Sequence, residues 1–204
     1  MQSLLQKRRD TCAFLSDVHS KPVFWMNVVQ LSPTSIMRAV PNEELQRRCF
    51  EFISLGQSLS LLLDLPIGLS FVCYLQQLIH EYEFYFFKNY TGVKAMTVSK
   101  PQCSVKPALK KEGSVVHLQC LHLTPASFEL DYPTTAVSLF QVLKQTYSKL
   151  EESMNPETYG IIKRIDVIVQ QRVFEKITHE LTDISFKMLD QEVAKVQSFL
   201  IDCR

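Results

Sequence analysis

Two histidine–glutamate pairs are the first residues of this chain whose types could carry out chemistry. His80-Glu81 and His179-Glu180 both begin like the helical zinc-protease motif. In that motif a second histidine follows one helical turn later, so that two imidazoles face one metal ion. The corresponding position holds Phe84 after the first pair and Asp183 after the second. The motif is incomplete in both places, and we predict no zinc hydrolase.

A second group of potential ligands is formed by His117, Cys120 and His122, which lie close together in a strand-like segment. Histidine nitrogen and cysteine sulfur are the usual ligands of structural zinc. Along a strand, however, Cys120 and His122 share one face and His117 faces the other side. A site that borrows Cys103 remains an alternative. Buried, hydrogen-bonded residues are the preferred interpretation, so we predict no metal ligands.

The remaining catalytic classes find little support in the sequence. Cys49 follows Arg47-Arg48, which would lower a thiol pKa, but it lies on the apolar stripe of its predicted helix. Five glycines in 204 residues leave little material for a phosphate-binding loop, and neither GxxxxGK[ST] nor GxGxxG occurs. We therefore predict that the protein is not an enzyme and uses no cofactor.

Composition favours a single folded domain spanning residues 1–204. A 46% hydrophobic fraction is typical of a globular chain, and a net charge of +1 does not suit a dedicated nucleic-acid binder. The six cysteines are scattered and form no CxxC pair. Met1 to Asp10 also lacks the apolar stretch of a signal peptide. Reduced thiols and a cytoplasmic or nuclear location are therefore expected.

The apolar periodicity predicts a mainly α (α+β) fold, with about five helices, a sheet of two or three strands and a long C-terminal helix. The first four helices are predicted at about Met1–Ser16, Pro41–Leu63, Leu69–Lys88 and Thr134–Glu152. Strands are predicted at Val23–Leu31 and Ser114–Leu123, with Val93–Val98 as a further candidate.

The last quarter of the chain is predicted to be one helix, residues 156–202. Asn155 precedes Pro156 in the manner of a helix start, and neither glycine nor proline follows Gly160. Roughly 45 helical residues at about 1.5 Å each would form a rod on the order of 65 Å long. The β-branched run 165–169 also suits a strand, but no turn signal flanks it. The rod is expected to close the bundle or to project from it.

Two apolar seams follow this helix at spacings of mostly three and four residues. The first seam runs from Phe174 to Met188, and its next positions, Gln191 and Lys195, are polar. The second seam runs from Leu189 to Leu200 on a neighbouring face of the helix. Such a seam suits either docking of a second chain or packing inside a bundle. The residues predicted to contact a partner are Phe174, Ile177, Leu181, Ile184, Met188, Val193, Val196 and Leu200.

Residues 91–113 are predicted to be an exposed basic loop or linker. The segment contains Pro101 and Pro107 and several lysines. Lys106, Lys110 and Lys111 are its candidate contacts to an acidic partner. Elsewhere, Ser32-Pro33 and Thr124-Pro125 are minimal proline-directed phosphorylation sequences, which would act only in exposed loops.

These features lead to the expectation of a non-enzymatic intracellular adaptor or complex subunit. It would bind another protein chain, as a hetero- or homo-oligomer, through the C-terminal helix. One alternative is a peripheral membrane protein that uses the aromatic segment 82–90 and the basic loop. Another is a ligand-binding domain or enzyme with a pocket between helices and sheet, gathering several of His80, His117, His122 and His179.

Overall fold

The computed structural model describes residues 2–87, 94–97, 106–112, 115–123 and 128–202. The mainly helical prediction, with a small sheet and a long C-terminal helix, is confirmed. The helices are α1 (Gln2–Ser20), α2 (Pro33–Ala39), α3 (Asn42–Leu63), α4 (Leu69–Phe87), α5 (Tyr132–Glu152), α6 (Tyr159–Val169) and α7 (Glu175–Asp202). The strands are β1 (Val23–Trp25), β2 (Val29–Leu31), β3 (Lys94–Thr97), β4 (Lys110–Glu112) and β5 (Val115–Leu118).

Helix α5 lies between α1 and α3 and carries much of the core. Its N-terminal Tyr132 packs against Phe52 of α3, with ring centroids 6.0 Å apart. At its other end Lys149 donates hydrogen bonds to the carbonyl oxygens of Leu63 and Leu65. α5 therefore runs parallel to α3, and its lysine satisfies carbonyl groups that the end of α3 leaves without helical partners.

The predicted strand Val23–Leu31 folds back on itself as an antiparallel hairpin of β1 and β2. Met26 and Asn27 form its turn with φ of 52° and 57°, and the Val28 amide donates to the Trp25 carbonyl at 3.1 Å. A positive φ is costly for methionine, and asparagine tolerates it better. The cost at Met26 is offset by the packing of Trp25, which is buried in the core.

A separate three-stranded sheet has β5 at its centre, parallel to β3 and antiparallel to β4. Within the predicted loop 91–113, residues 94–97 and 110–112 pair with β5, and the first of these two segments lies inside the strand candidate Val93–Val98. A strand with an apolar buried side needs neighbours to satisfy its backbone, and both come from this segment. Residues 91–93 and 98–105 lie outside the described part of the chain.

The C-terminal helix begins at Tyr159, three residues later than predicted. The Asn155 side chain instead accepts hydrogen bonds from the amides of Glu157 and Thr158, both at 2.9 Å, and so caps the turn before the helix. The strand alternative for 165–169 is wrong, because these residues belong to α6.

A π-helical turn, Gln170–Phe174, joins α6 to α7. Such a turn holds one more residue than an α-helical turn. Val169 and Phe174 are five residues apart, yet both are buried. The apolar side of α6 thus continues into the apolar side of α7 without a break.

Two nearly buried carboxylates tie the long helix to the rest of the fold. Asp166 of α6 accepts both Nε and Nη2 of Arg8 from α1, at 2.7 and 3.0 Å. Glu51 of α3 accepts the Tyr82 hydroxyl at 2.6 Å and pairs with Lys176 of α7 at 3.1 Å. Buried charges are tolerated when they are paired and hydrogen-bonded, as these are.

Candidate functional site

Glu81, the glutamate of the first histidine–glutamate pair, is a structural residue in this fold. Its fully buried carboxylate accepts the backbone N–H groups of residues 119–121, each at 2.8 Å, and the side-chain amide of Gln77 at 2.7 Å. It thus holds the segment after β5 against α4. In the second pair, His179 lies on the exposed side of α7, 3.1 Å from Asp183.

The predicted histidine candidates are not gathered in one place. His117 lies on β5, 3.3 Å from the Glu112 carboxylate, whereas His122 lies beyond the strand and faces a cleft beside α3. His80 is on α4 and His179 on α7. Among the described residues no group of three histidine, cysteine or acidic side chains could hold a metal ion. Cys103 lies outside the described residues.

The described cysteines are buried. Cys12, Cys49, Cys73 and Cys120 all lie in the interior, and none of the four is in a disulfide bond. Burial raises the pKa of Cys12 to about 12 and also raises the pKa of Cys49, despite the two arginines before it. A thiol is reactive as the thiolate, so Cys12 and Cys49 are poor nucleophiles at neutral pH.

Sequence reasoning missed a buried histidine, His19, at the end of α1. Its Nδ1 lies 2.7 Å from the Leu15 carbonyl oxygen, which can only accept, so Nδ1 carries the proton. Nε2 is then free to accept from the Tyr132 hydroxyl at 3.4 Å. Burial lowers the pKa of His19, so the neutral ring is the folded form at pH 7.

A cleft of about 740 Å³ lies between α3 and α5. Gly56 lies on its α3 side, and Leu139 approaches the position of a Cβ there to 3.9 Å. Its polar groups include Asp64 and His122. The cleft is lined by Phe52, Ile53, Gly56, Gln57, Ser60, Leu61, Asp64, His122, Thr134, Thr135, Ser138, Leu139 and Val142.

The first seam of the C-terminal helix is covered by the chain itself. Phe174, Ile177, Leu181 and Ile184 are only 2–3% exposed, and Met188 is partly buried against the same core. The β1–β2 hairpin and α2 pack on this part of α7, and Glu180 pairs with Arg48 of α3. The prediction that these four buried residues contact a partner is corrected, because they have no surface left to offer.

The second seam is exposed. Every residue from 189 to 199 is exposed, so α7 leaves the body of the protein after Met188. We call residues 189–202 the arm; at about 1.5 Å per residue it is roughly 21 Å long. Leu189, Val193 and Val196 lie along one line of it, and Val193 and Val196 are 47% and 59% exposed. Leu200 belongs to α7, but its side chain is outside the described part.

The line of the second seam starts inside the body, at Thr182. Phe186 follows it by four residues and Leu189 by seven, so all three share one helix face. Phe186 is 55% exposed, and the sequence analysis missed it although it fits the same spacing. We call Phe186, Leu189, Val193 and Val196 the arm seam.

The hairpin meets α7 where this line begins. Trp25 donates from Nε1 to the Thr182 hydroxyl at 3.2 Å and stacks on Phe14 with ring centroids 5.7 Å apart. The tip around this tryptophan is apolar and exposed. Its exposed side chains are Phe24, Met26 and Val28. The root of the arm seam is therefore flanked by a second apolar surface, the hairpin tip.

The aromatic segment proposed for membrane contact is mostly core. Tyr82 and Phe84 are buried, and Phe86 and Phe87 pack against the same cluster, which leaves Tyr85 exposed. Residues 88–90 lie outside the described part of the chain. None of the helices in the described ranges is both long and apolar enough to cross a membrane.

The remaining predicted contacts are three lysines and two Ser/Thr-Pro sequences. Lys106 is exposed, whereas the side chains of Lys110 and Lys111 in β4 are outside the description. Ser32 is engaged as the N-cap of α2, where its hydroxyl accepts from the Ser35 amide at 3.1 Å. Thr124 lies outside the described residues.

Comparison of the chain with protein-family models, with curated proteins and with solved structures found no match.

Proposed function

We propose that this protein is a non-enzymatic adaptor or subunit of a multiprotein assembly that binds another protein chain through the arm seam. The observation that carries the proposal is the exposed apolar line Phe186–Val196 on a helix that has left its own core. Water-exposed apolar side chains gain free energy when a partner covers them, at about 25 cal/mol per Å². An amphipathic helix that presents such a line is a common mode of recognition between chains.

The hairpin tip supports the same proposal. A stable interface covers about 800 Å² on each partner, and the four side chains of the arm seam offer on the order of a few hundred. Phe24, Met26 and Val28 adjoin the root of the seam and would enlarge the contact. A partner that covers both surfaces comes closer to the area of a specific complex.

The location proposed is the cytoplasm or the nucleus. Cys12, Cys49, Cys73 and Cys120 are buried, and none of these four is in a disulfide bond. Proteins of oxidising compartments more often use cysteines in disulfides.

The test is affinity purification from cells followed by mass spectrometry, comparing wild type with Val193→Asp plus Val196→Asp. A partner recovered in equal amount with wild type and lost with this variant is the expected result. Both positions are exposed, so the variant should keep the wild-type melting temperature, which circular dichroism checks.

The matched control is Gln191→Asp plus Ser198→Asp. These residues lie on the opposite side of the arm, since α-helical residues turn by about 100° each. The control adds the same charge to the same helix and should retain the partner. If both variants retain it, or both lose it, the arm seam is not the binding surface.

Ligand binding in the cleft between α3 and α5 is a second candidate, favoured by its volume of about 740 Å³. Small-molecule sites commonly have this size and combine apolar walls with a few polar groups. Native mass spectrometry of protein purified from cells would detect a co-purified ligand. Ser138→Trp should fill the cleft and remove such a ligand; an unliganded wild type would argue against this function.

A further inference from the structure

The charges that border the arm seam identify the chemistry of the partner. When two helices pack along a seam, the side chains immediately beside it decide by their charge which partner fits. Beside the arm seam the charged residues are Asp183, Asp190 and Glu192, all acidic and all exposed. The other two exposed positions beside it, Gln197 and Phe199, are uncharged.

The lysines of the same stretch lie away from the seam. Lys187 and Lys195 are each roughly 140° around the helix from the seam line, at about 100° per residue. Lys195 does reach Glu192, with 2.6 Å between Nζ and Oε1, but this is a contact between two exposed side chains three residues apart. Such pairs are worth little and exchange readily with other partners.

From this arrangement we propose that the arm seam receives an amphipathic helix of a different protein, one with lysine or arginine beside its own apolar seam. The inference rests on the function proposed above and names the partner class of the same surface. Basic flanks would meet Asp190 and Glu192 across the interface. A second copy of this chain would bring only acidic and neutral side chains to these positions and would form no opposite-charge pair.

The hairpin tip fixes the end at which the partner helix must stop or turn. Trp25 donates a hydrogen bond to Thr182, so the hairpin occupies the seam line just before Phe186. A partner helix can therefore lie along the arm from Phe186 outward but cannot continue over the body without meeting β1. The recognised segment is consequently short, about two to three helical heptads.

The probes that test this inference are two synthetic helical peptides of about three heptads. Both carry leucine at the seam positions; one has lysine and the other glutamate at the flanking positions. Binding to the full-length protein is measured by fluorescence anisotropy. We expect the lysine peptide to bind at least about tenfold more tightly, with an advantage that shrinks as salt screens the charges.

Charge reversal of the arm provides the decisive variant. Asp190→Lys plus Glu192→Lys should invert the preference between the two peptides without changing the fold. Glu152→Lys plus Glu157→Lys, which reverses two exposed acidic residues away from the arm, should leave the preference as in wild type. An inversion that also occurs in this control would overturn the inference, because net charge alone would then explain it.

Three other results would also overturn the inference. Equal binding of both peptides would mean that charge does not select the partner. The lysine peptide failing to bind would exclude a basic-flanked helix. Self-association in sedimentation, lost with Val193→Asp plus Val196→Asp, would make a second copy the occupant.

None of these results decides the proposed function, which depends on seam-dependent capture of a partner from cells. If such a partner has neutral or acidic flanks, the inference falls and the function stands. If no seam-dependent partner is captured, the function falls whatever the peptides do.

Discussion

The two halves of α7 have similar apolar patterns and opposite surroundings. Between Glu175 and Met188, the side chains of Ile177, Leu181 and Ile184 face the body of the fold and are almost fully buried, and Phe186 is the point where the apolar side chains become exposed. In the arm, the side chains of Leu189, Val193 and Val196 face solvent. An apolar stripe thus indicates that one face of a helix packs against other residues. It does not indicate whether those residues belong to the same chain or to a partner.

The charged residues distinguish the two halves better than the apolar ones do. In the buried half, Lys176 and Glu180 pair with Glu51 and Arg48 of α3, more than a hundred residues away in sequence. In the arm, the ion pair of Lys195 joins it to Glu192, three residues away. The long-range pairs attach the first half of α7 to α3, whereas the pair in the arm joins two neighbours on the same helix.

The largest expected effect separates a buried from an exposed apolar residue. Leu181→Ala should lower the free energy of unfolding by about 2–5 kcal/mol, because it leaves a cavity in the core. Val196→Ala should change it by no more than about 0.5 kcal/mol. Urea unfolding measures both. Similar losses at the two positions would mean that the arm packs against the body.

The same contrast applies to the lysines. Lys176→Met should cost about 1.5–3 kcal/mol, because it removes a charged hydrogen bond to the nearly buried Glu51 carboxylate. Lys195→Met removes an exposed pair worth about 0.3–0.5 kcal/mol. Thermal melts of the two variants and wild type would rank them. A Lys195 effect equal to that of Lys176 would contradict the division of α7.

A pH dependence is expected for the body and not for the arm. Burial lowers the pKa of His19 below its unfolded value of about 6.5. The unfolded chain then binds the proton more readily, so stability is complete above about pH 6.5 and is lost as the pH falls towards the folded pKa. Unfolding measured from pH 5 to 7 should show this slope, and His19→Gln should flatten it.

The smallest effect is expected from removing the arm. A chain that ends after Met188 should unfold within about 0.5 kcal/mol of wild type, because the described side chains that it loses, those of residues 189–199, are all exposed. Hydrogen exchange on the intact protein should show rapid exchange in the arm and protection in the first half of α7. A truncated chain that no longer folds would show that the arm belongs to the core.

The long helices could be predicted from sequence because each has an unbroken apolar face between turn signals. The prediction for α3 ended at Leu63, where the observed helix ends, and those for α4 and α5 differ by one or two residues. Within the last helix, the change of seam near Gln191 follows the point where α7 leaves the body. The sequence therefore predicts that the second seam is distinct from the first. It does not predict that the second seam is exposed.

What could not be predicted depends on contacts distant in sequence. The turn at Met26 and Asn27 carries no glycine, and its positive φ values occur beside Trp25, which is buried against distant parts of the chain. β3 lies inside the predicted strand candidate Val93–Val98, whereas β4 has only three residues, two of them lysine, and its sequence does not indicate that it pairs with β5. The hairpin and α2, which pack on α7, lie more than a hundred residues earlier in the sequence.

The π-helical turn between α6 and α7 contains one residue more than a regular helical turn, so the helix could lose a residue there. Five residues there span what four would span in a regular helix, and the buried sides of α6 and α7 are already aligned across it. Loss of exposed Gln171 would let the turn become ordinary helix with the arm still aimed as before. One residue added after Met188 would instead turn the arm seam by about 100° while leaving the body untouched. The direction of the arm seam is thus insensitive to loss of one residue at the π-helical turn. It is sensitive to a one-residue insertion at the root of the arm.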